Sequence, residues 1–261
     1  MKTVWITGAS SGIGESCAYL YASRHDRLII TSSSHERLEK VAERCKELGA
    51  SDVLVHPYDF NNLDGIQLLV RNAWDEYDGV DVLYCNAGVS QRTTVEDTSL
   101  ALIRVIMEVD FFAPVAMAKA ILPLMKEAGG GNIAVTTSIV GYFGFPLRCA
   151  YSASKHALYG FFETLQAENY KNGIKVTFIC PGRIQTNISL NALDSRGEKY
   201  GKMDPGQANG ISPQKAAKQI VKAIDKGKRE VLVGKKELLP VFIKRFFPGL
   251  CAKLVRNINV V

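Results

Sequence analysis

Short apolar runs alternate with helical patterns along the chain, and this alternation restricts the fold more than any other feature. Seven runs have the character of buried strands: 3–6, 28–31, 53–56, 80–84, 132–136, 175–179 and 230–233. Helical patterns are interspersed with them over 12–23, 36–48, 63–77, 101–125, 151–171 and 213–225. Strands and helices that alternate in this way form a parallel sheet with right-handed crossovers and helices on both faces. We therefore predict a three-layer, doubly wound α/β fold.

Length and composition place these elements in one domain over 1–261. A chain of 261 residues suits a single α/β unit. Its 47% hydrophobic and 22% charged residues are typical of a globular protein. The net charge of +6 comes without a dense basic run, so we expect no nucleic-acid partner. The first predicted strand begins at residue 3 and no apolar run reaches about 18 residues, so we predict a cytoplasmic protein without signal peptide or membrane span, and no metal site.

A glycine-rich turn follows the first predicted strand. It reads Thr7-Gly8-Ala9-Ser10-Ser11-Gly12-Ile13-Gly14 and leads into the first helical pattern. Strand, glycine turn and helix in this order predict a Rossmann-type dinucleotide site, in which free N–H groups at the helix N-terminus bind the pyrophosphate. The spacing Gly-x-x-x-Gly-x-Gly matches the general fingerprint loosely, and an ordinary Gly/Ser loop is the alternative.

Tyr151 and Lys155 form a candidate acid–base pair. A spacing of four places the phenol and the ammonium group on one helical face, and a nearby positive charge lowers a tyrosine pKa. Ser138, thirteen positions before Tyr151, supplies a hydroxyl that can bind the same substrate oxygen. A surface contact without catalytic role is the alternative for the pair alone.

Four of these candidate groups follow predicted strands. Gly8, Asn86, Ser138 and Pro181 each stand just after one. Since ligands of such sheets bind beyond the carboxyl ends of the strands, we expect all four at one edge.

Taken together, these motifs resemble the classical short-chain dehydrogenase/reductase family. The resemblance covers nearly the whole chain and, after Asn187, is nearest to the branch of hydroxysteroid dehydrogenases and membrane-associated reductases. It implies hydride transfer between nicotinamide and a carbonyl or secondary alcohol, with Tyr151 as acid–base, Ser138 holding the oxygen and Lys155 binding the nicotinamide ribose. It also implies a homodimer or homotetramer. The cofactor-binding residues that it implies are Gly8, Ser10, Ser11, Gly12, Ile13, Gly14, Asp59, Phe60, Asn86, Ala87, Gly88, Tyr151, Lys155, Pro181, Gly182, Ile184 and Thr186.

The end of the second predicted strand bears on the choice of cofactor. An acid at this place selects NAD, but the chain has Ser32, Ser33 and Ser34, followed by Arg37. Hydroxyls, a helix N-terminus and a cation suit a phosphate, so we favour NADP(H), with Ser32, Ser33 and Arg37 as its ligands. NAD(H) is the alternative, with Glu36 as a displaced acid, and Ser34 is otherwise a simple helix cap. Family members that prefer NADP(H) often carry a cation where this chain has Ser11 and Ser33.

Asp110 departs from the family pattern, which commonly has asparagine at this position of the long fourth helix. A carboxylate accepts hydrogen bonds but donates none unless it is protonated. It can hold a water that links Lys155 to solvent, or stabilise the lysine charge and weaken its effect on Tyr151. Contact with a neighbouring helix is the third interpretation.

The remaining regions concern substrate and partners. A loop at about 187–211 matches the substrate loop of the family. Two explanations carry equal weight for a set of apolar residues: they line a pocket for a hydrophobic, lipid- or steroid-like carbonyl compound, or they pack in the core. The residues are Phe143, Phe145, Pro146, Ile188, Leu190, Leu193 and Met203. The tail, about 238–261, mixes bulky apolar residues with four cations and no acid, which suits a peripheral membrane contact or, with a slight preference, an oligomer interface.

Three function classes stay open from the sequence. The favoured class is an NADP(H)-dependent enzyme. The second is a nucleotide-sensing binding protein without turnover, which the complete set of Ser138, Tyr151 and Lys155 disfavours. The third is an NAD-dependent alcohol dehydrogenase.

Overall fold

Seven parallel strands form one sheet in the computed structural model, which describes residues 1–256. The strands are β1 (Thr3–Thr7), β2 (Arg27–Thr31), β3 (Asp52–Val55), β4 (Val82–Cys85), β5 (Gly131–Thr136), β6 (Ile174–Pro181) and β7 (Glu230–Val233). Their order is β3-β2-β1-β4-β5-β6-β7, so the chain reverses its winding direction between β1 and β4. The predicted doubly wound sheet is confirmed, and Pro181 ends β6 rather than following it.

Helices cover both faces of the sheet. They are α1 (Gly12–Ala22), α2 (His35–Glu47), α3 (Ile66–Tyr77), α4 (Leu100–Met107), α5 (Ala113–Glu127), α6 (Cys149–Asn169), α7 (Pro205–Ala208), α8 (Pro213–Asp225), α9 (Leu239–Phe246) and α10 (Pro248–Arg256). Ser212 caps α8 by accepting a hydrogen bond from the Lys215 N–H, and Pro213 occupies the first turn, where its missing N–H has no cost.

Alternating side chains of the strands build two separate cores. In β1, Val4 and Ile6 pack in the core beneath α1, α2 and α8, whereas Trp5 between them belongs to the core beneath α3, α5 and α6. All three side chains are fully buried. This two-residue period follows from strand geometry, and burial on both faces explains why the strand sequences read as continuous apolar runs.

The long helix predicted over 101–125 is interrupted. A π-helical turn, Glu108–Phe112, separates α4 from α5, and the Ala113 N–H donates to the Glu108 carbonyl five residues back. Pro114 explains the interruption, because proline has no N–H to donate to the carbonyl of Asp110. Such π-turns are frequent at functional sites.

The tail, for which the sequence suggested no element, forms α9 and α10. Val241 and Cys251 are buried against Phe143, so the tail packs beside the segment that follows Ser138. The tail residues 257–261 lie outside the described part of the chain. Within residues 1–256, no helix has both the length and the apolar character required to cross a bilayer.

Candidate active site

The carboxyl ends of the strands open into a cavity of about 310 Å³. Most of the residues predicted to bind cofactor or substrate line it: Gly8, Ser10, Ser11, Gly12, Ile13, Ser32, Ser33, Asp59, Phe60, Asn86, Ala87, Gly88, Ser138, Tyr151, Lys155, Pro181, Gly182, Ile184 and Thr186. Gly14, Arg37 and Asp110 do not line it. The four groups expected at one sheet edge, Gly8, Asn86, Ser138 and Pro181, therefore converge there.

The glycine turn brings backbone close to the cavity wall. Gly8 has a φ of +64°, and a Cβ atom there would lie 2.8 Å from the Cα of Ala87. A Cβ on Gly14 would collide with the carbonyl oxygen of Gly8, so Gly14 permits close packing although it lies behind the wall. Ser11, the residue before α1, makes no side-chain cap, which leaves the first N–H groups of α1 without a side-chain acceptor. A cradle of this kind suits a phosphate group.

Hydrogen bonds join the ends of β1 and β4 beneath this turn. The Thr7 hydroxyl accepts from the backbone N–H groups of Asn86 and Ala87, each at 3.0 Å. The Asn86 side chain donates to the Thr7 carbonyl at 3.2 Å. These bonds hold the centre of the cavity wall in one conformation.

The end of the cavity near β2 and β3 is polar. Ser32 is buried and Ser33 is exposed, and both line the cavity. Glu36 and Arg37 are exposed and lie outside the lining, and the Glu36 carboxylate pairs with Lys40 at 2.7 Å. Ser34 precedes α2 but makes no side-chain cap. Asp59 accepts from the N–H and the side-chain amide of Asn61, so it also forms a turn.

The opposite end holds the candidate acid–base pair at the start of α6. Tyr151 and Lys155 are 8% and 3% exposed, so neither is a surface residue. The Lys155 ammonium lies 5.4 Å from the centre of the Tyr151 ring and donates to the Thr136 carbonyl at 3.2 Å. Gln91 accepts from the N–H groups of Ala150 and Tyr151 at 2.9 and 3.3 Å, which caps α6. The cap and the ammonium together orient the phenol.

Burial dominates the pKa of Tyr151. It raises this pKa above the ordinary value, while Lys155 and a hydrogen bond with Ser138 act to lower it. The spacing of Tyr151 and Lys155 predicted a lowered pKa for the phenol. This prediction was wrong, because the fold removes the phenol from water. A phenol that stays protonated at neutral pH is suited to donate a proton.

Asp110 lies in the π-turn, directly behind Lys155. One carboxylate oxygen is 3.3 Å from the lysine ammonium, and the other accepts from the Val89 N–H at 2.7 Å. The side chain is fully buried, and burial raises the pKa of Asp110 against the opposing effect of Lys155. Asp110 thus positions and compensates the lysine charge.

The model of the short chain dehydrogenase family matches residues 2–196 of this chain. The chain belongs to the short-chain dehydrogenase/reductase family. It is 38% identical over 260 residues to the dehydrogenase/reductase SDR family member 7B of Bos taurus, with 97% of this chain and 80% of that protein covered. The protein is accordingly an oxidoreductase with a nucleotide-binding fold of this family.

Solved structures give the same assignment. An alcohol dehydrogenase from Thermococcus sibiricus, complexed with 5-hydroxy-NADP, is 27% identical with a TM-score of 0.77, and the match covers 91% of this chain and 97% of that one. A short chain dehydrogenase/reductase from Burkholderia phymatum in complex with NAD has a TM-score of 0.84 at 22% identity, with 95% and 94% covered, and shows the shared fold.

The substrate side of this short-chain dehydrogenase/reductase differs from the apolar pocket suggested by the sequence. Of the seven apolar residues considered, only Ile188 lines the cavity. Phe143 and Phe145 pack in the cluster beneath the tail, and Leu193 packs with Leu102 and Ile106. Core packing therefore explains Phe143, Phe145 and Leu193 better than substrate contact, whereas Met203 is exposed.

Several lining residues were missed from the sequence. The most consequential are Arg92 and Arg148, and others are Tyr58, Asn61, Val89, Ser90, Val109, Thr136, Thr137, Asn187, Asn191 and Gln207. Arg92 follows the Asn86-Ala87-Gly88 motif by four residues, and Arg148 precedes Tyr151 by three. The short distance in sequence between each arginine and a motif was the signal that could have identified them as lining residues.

Proposed function

We propose that the protein is an NADP(H)-dependent reductase that interconverts a carbonyl compound and a secondary alcohol. The observation that carries this proposal is the common cavity: Ser138, Tyr151 and Lys155 line the same space as the glycine turn. A cofactor seated on the turn and a substrate beside Tyr151 would therefore meet without any rearrangement of the chain.

The residues at the glycine end fit a dinucleotide. The helix N-terminus and the close backbone approach at Gly8 would hold the pyrophosphate. Asp59 and Phe60 would flank the adenine, Asn86 to Gly88 the central part, and Ile184 and Thr186 the nicotinamide end. When bound, the nicotinamide supplies or accepts the hydride.

Tyr151 is the proposed proton donor for reduction. Its pKa, raised by burial, keeps the phenol protonated at neutral pH, and Ser138 lies where it can hold the carbonyl oxygen. After the proton leaves, Lys155 stabilises the phenolate that remains. Asp110 holds the ammonium group behind the ring and does not contact the reacting atoms.

We infer a preference for NADP(H) over NAD(H) from the β2 end of the cavity. Among residues 1–256, Asp59 is the only acid in the lining, and it follows β3. Ser32 and Ser33 can donate hydrogen bonds to a 2′-phosphate, but the expected cation Arg37 is not in the lining. This proposal therefore depends on the two hydroxyls.

Equilibrium binding tests the cofactor assignment. Dissociation constants for NADPH and NADH are measured by fluorescence titration, and a carbonyl panel is then followed by loss of nicotinamide absorbance. We expect tighter binding of NADPH and turnover of at least one carbonyl. Tighter binding of NADH supports the alternative NAD-dependent alcohol dehydrogenase. Binding without turnover on any substrate supports the nucleotide-sensing protein.

We also propose that the chain is a single catalytic domain and that its loop of residues 187–211 covers the substrate. Asn187, Ile188, Asn191 and Gln207 of this loop line the cavity. The Gln207 side chain donates to Thr186 at 3.3 Å, so the loop is attached to the nicotinamide end. A cytoplasmic location and an oligomeric state stay predictions.

The tail has an exposed apolar face, and we propose an anionic lipid surface as its partner. Phe242, Phe246 and Phe247 are 54%, 68% and 64% exposed. Residues 238–256 contain four cations and no acid. In an isologous dimer this face would contact its own copy, so that cations would face cations. An anionic membrane instead complements both the positive charge and the apolar side chains of the face.

Vesicle flotation tests this proposal. We expect the wild type to float with vesicles that contain phosphatidylserine and to float less with pure phosphatidylcholine. The double substitution F246S/F247S should reduce flotation, and the control L68S, at another exposed apolar residue, should not. If the wild type stays in the soluble fraction as an oligomer that F246S/F247S dissociates, the face is a subunit interface instead.

A further inference from the structure

Two arginines in the wall of the catalytic cavity share a single carboxylate. The side chains of Arg92 and Arg148 are only 3% and 15% exposed, and both residues line the cavity. Each guanidinium group binds the same oxygen of Asp204, Arg92 at 3.3 Å and Arg148 at 2.9 Å. Two buried positive charges therefore face one negative charge.

The other partners of these arginines are neutral. Arg92 also donates to the Ser90 hydroxyl at 3.1 Å and to the Gln91 carbonyl at 2.7 Å. The Arg148 guanidinium lies 4.7 Å from the centre of the Phe145 ring. Its Nε atom is buried and has no hydrogen-bond partner within residues 1–256. A buried donor without an acceptor is costly, so a ligand that supplies one is favoured.

Asp204 cannot compensate both charges. Its second oxygen accepts from the N–H groups of Gly206 and Gln207 at 2.8 and 3.2 Å, as the cap of α7. The nearby Lys155 is already paired with Asp110. Within residues 1–256, one of the two arginine charges is therefore left without a counterion.

The uncompensated charge lies beside the reacting groups. Burial and the neighbouring Arg92 lower the pKa of Arg148 to about 10, which leaves the guanidinium charged at neutral pH. Arg148 stands three residues before Tyr151, at the N-terminal end of α6. Asp59, the acid in the lining, follows β3 at the opposite edge of the sheet. A planar guanidinium fork binds carboxylate and phosphate oxygens in pairs.

We propose that Arg92 and Arg148 bind an anionic group of the substrate, a carboxylate or a phosphate, while Tyr151 and Ser138 hold its carbonyl oxygen. The protein would then act on oxo acids or phosphorylated ketones in preference to neutral ketones. This inference rests on the proposed reductase function, and it adds an anionic group to the lipid- or steroid-like carbonyl compound that the sequence analysis considered.

Matched substrate pairs test the inference. Values of kcat/KM are compared for 3-oxohexanoate and its methyl ester, and for phosphorylated hydroxyacetone and hydroxyacetone. We expect the charged member of at least one pair to be favoured about 10- to 100-fold, as a charge-assisted hydrogen bond predicts. The preferred pair distinguishes carboxylate from phosphate.

Substitutions locate the anion site. R148M keeps the aliphatic stem and removes the charge, so the charged-to-neutral ratio should fall about tenfold or more through KM. R71M removes an exposed cation of α3, outside the lining, and should keep the ratio. R148K, which retains the charge without the fork, should give an intermediate ratio even if R148M folds poorly.

Each failure has a distinct outcome. Equal kcat/KM within both pairs in the wild type overturns the anion site but leaves the reductase function intact. A preference that R148M leaves unchanged in the folded protein removes Arg148 from the site. If no carbonyl is turned over, calorimetric titration with both pairs still measures the binding preference: tighter binding of a charged member supports the anion site alone, and equal binding within both pairs, or no binding, overturns it.

Discussion

The two ends of the cavity present different surfaces to their ligands. At the glycine turn the wall consists of backbone, with the helix α1 free of a side-chain cap and Gly8 pressed against Ala87. At the α6 end the wall consists of charged side chains, with Lys155 held by Asp110 and two arginines held by Asp204. At the glycine turn, the close approach of the backbone leaves no room for larger side chains. At the α6 end, ligand binding depends on which side chains are present.

This difference indicates how the two recognition tasks are divided. A backbone cradle binds phosphates by means of N–H groups that every chain possesses, so only glycines mark it in the sequence. A charged pocket selects ligands by counterion and geometry, so its specificity can change with single substitutions.

Replacing Tyr151 by phenylalanine should have the largest effect. Loss of the proton donor lowers kcat by about 10³-fold, since general acid catalysis contributes in that range. Cofactor affinity should change little, because the glycine end is untouched. Steady-state kinetics and NADPH titration measure both quantities. A variant with near-normal kcat would remove Tyr151 from the mechanism.

Gly8→Ala should damage the backbone end. The new Cβ would lie 2.8 Å from the Cα of Ala87, so we expect a loss of about 1–3 kcal/mol in stability and weaker NADPH binding. Gly129→Ala is the control: Gly129 has a φ of +88°, and apart from its chain neighbours no atom of residues 1–256 lies within 4 Å of the added Cβ. Urea unfolding and titration compare the two. Equal losses would show that backbone strain, and not the contact with Ala87, causes the effect.

Ser33→Asp should shift cofactor preference by a smaller factor. The added carboxylate would repel a 2′-phosphate and accept a hydrogen bond from a 2′-hydroxyl. We expect the ratio of NADH to NADPH dissociation constants to fall about five- to tenfold, because Ser33 is exposed and its charge is partly screened. Ser34→Asp adds the same charge outside the lining and should shift the ratio less. An unchanged ratio in Ser33→Asp would place the phosphate elsewhere.

Asp110→Asn should have the smallest effect on activity. The effect should be visible mainly in the pH profile of activity. After burial, Asp110 is among the groups that raise the pKa of Tyr151, so its neutralisation lowers that pKa. Reduction needs the protonated phenol, so the alkaline decline of activity should move to lower pH. The matched variant E108Q, in the same π-turn, should leave the profile in place. Complete loss of activity in a folded D110N protein would reveal a further role of the carboxylate.

Local patterns explain how much of this could be predicted from the sequence. Strand-to-helix alternation, the glycine turn and the Tyr151–Lys155 spacing are properties of short segments, and each is confirmed as structure. These features need no knowledge of distant contacts.

Distant contacts account for what the sequence did not predict. Arg92, Arg148 and Asp204 come from three separate segments, and only the folded chain makes them neighbours. The pKa of Tyr151 depends on burial by surrounding elements, which no spacing contains. Arg37 appeared suitable beside the serines, but it is exposed on α2 outside the lining.

The π-turn at Glu108–Phe112 makes chain length a determinant of the site. It contains one residue more than a regular helical turn, and each residue of a helix advances the side-chain direction by about 100°. Deleting one residue there would rotate α4 relative to α5 and would turn the carboxylate of Asp110 away from Lys155. An insertion or deletion between α4 and α5 should therefore disturb catalysis more than most single side-chain substitutions in this segment.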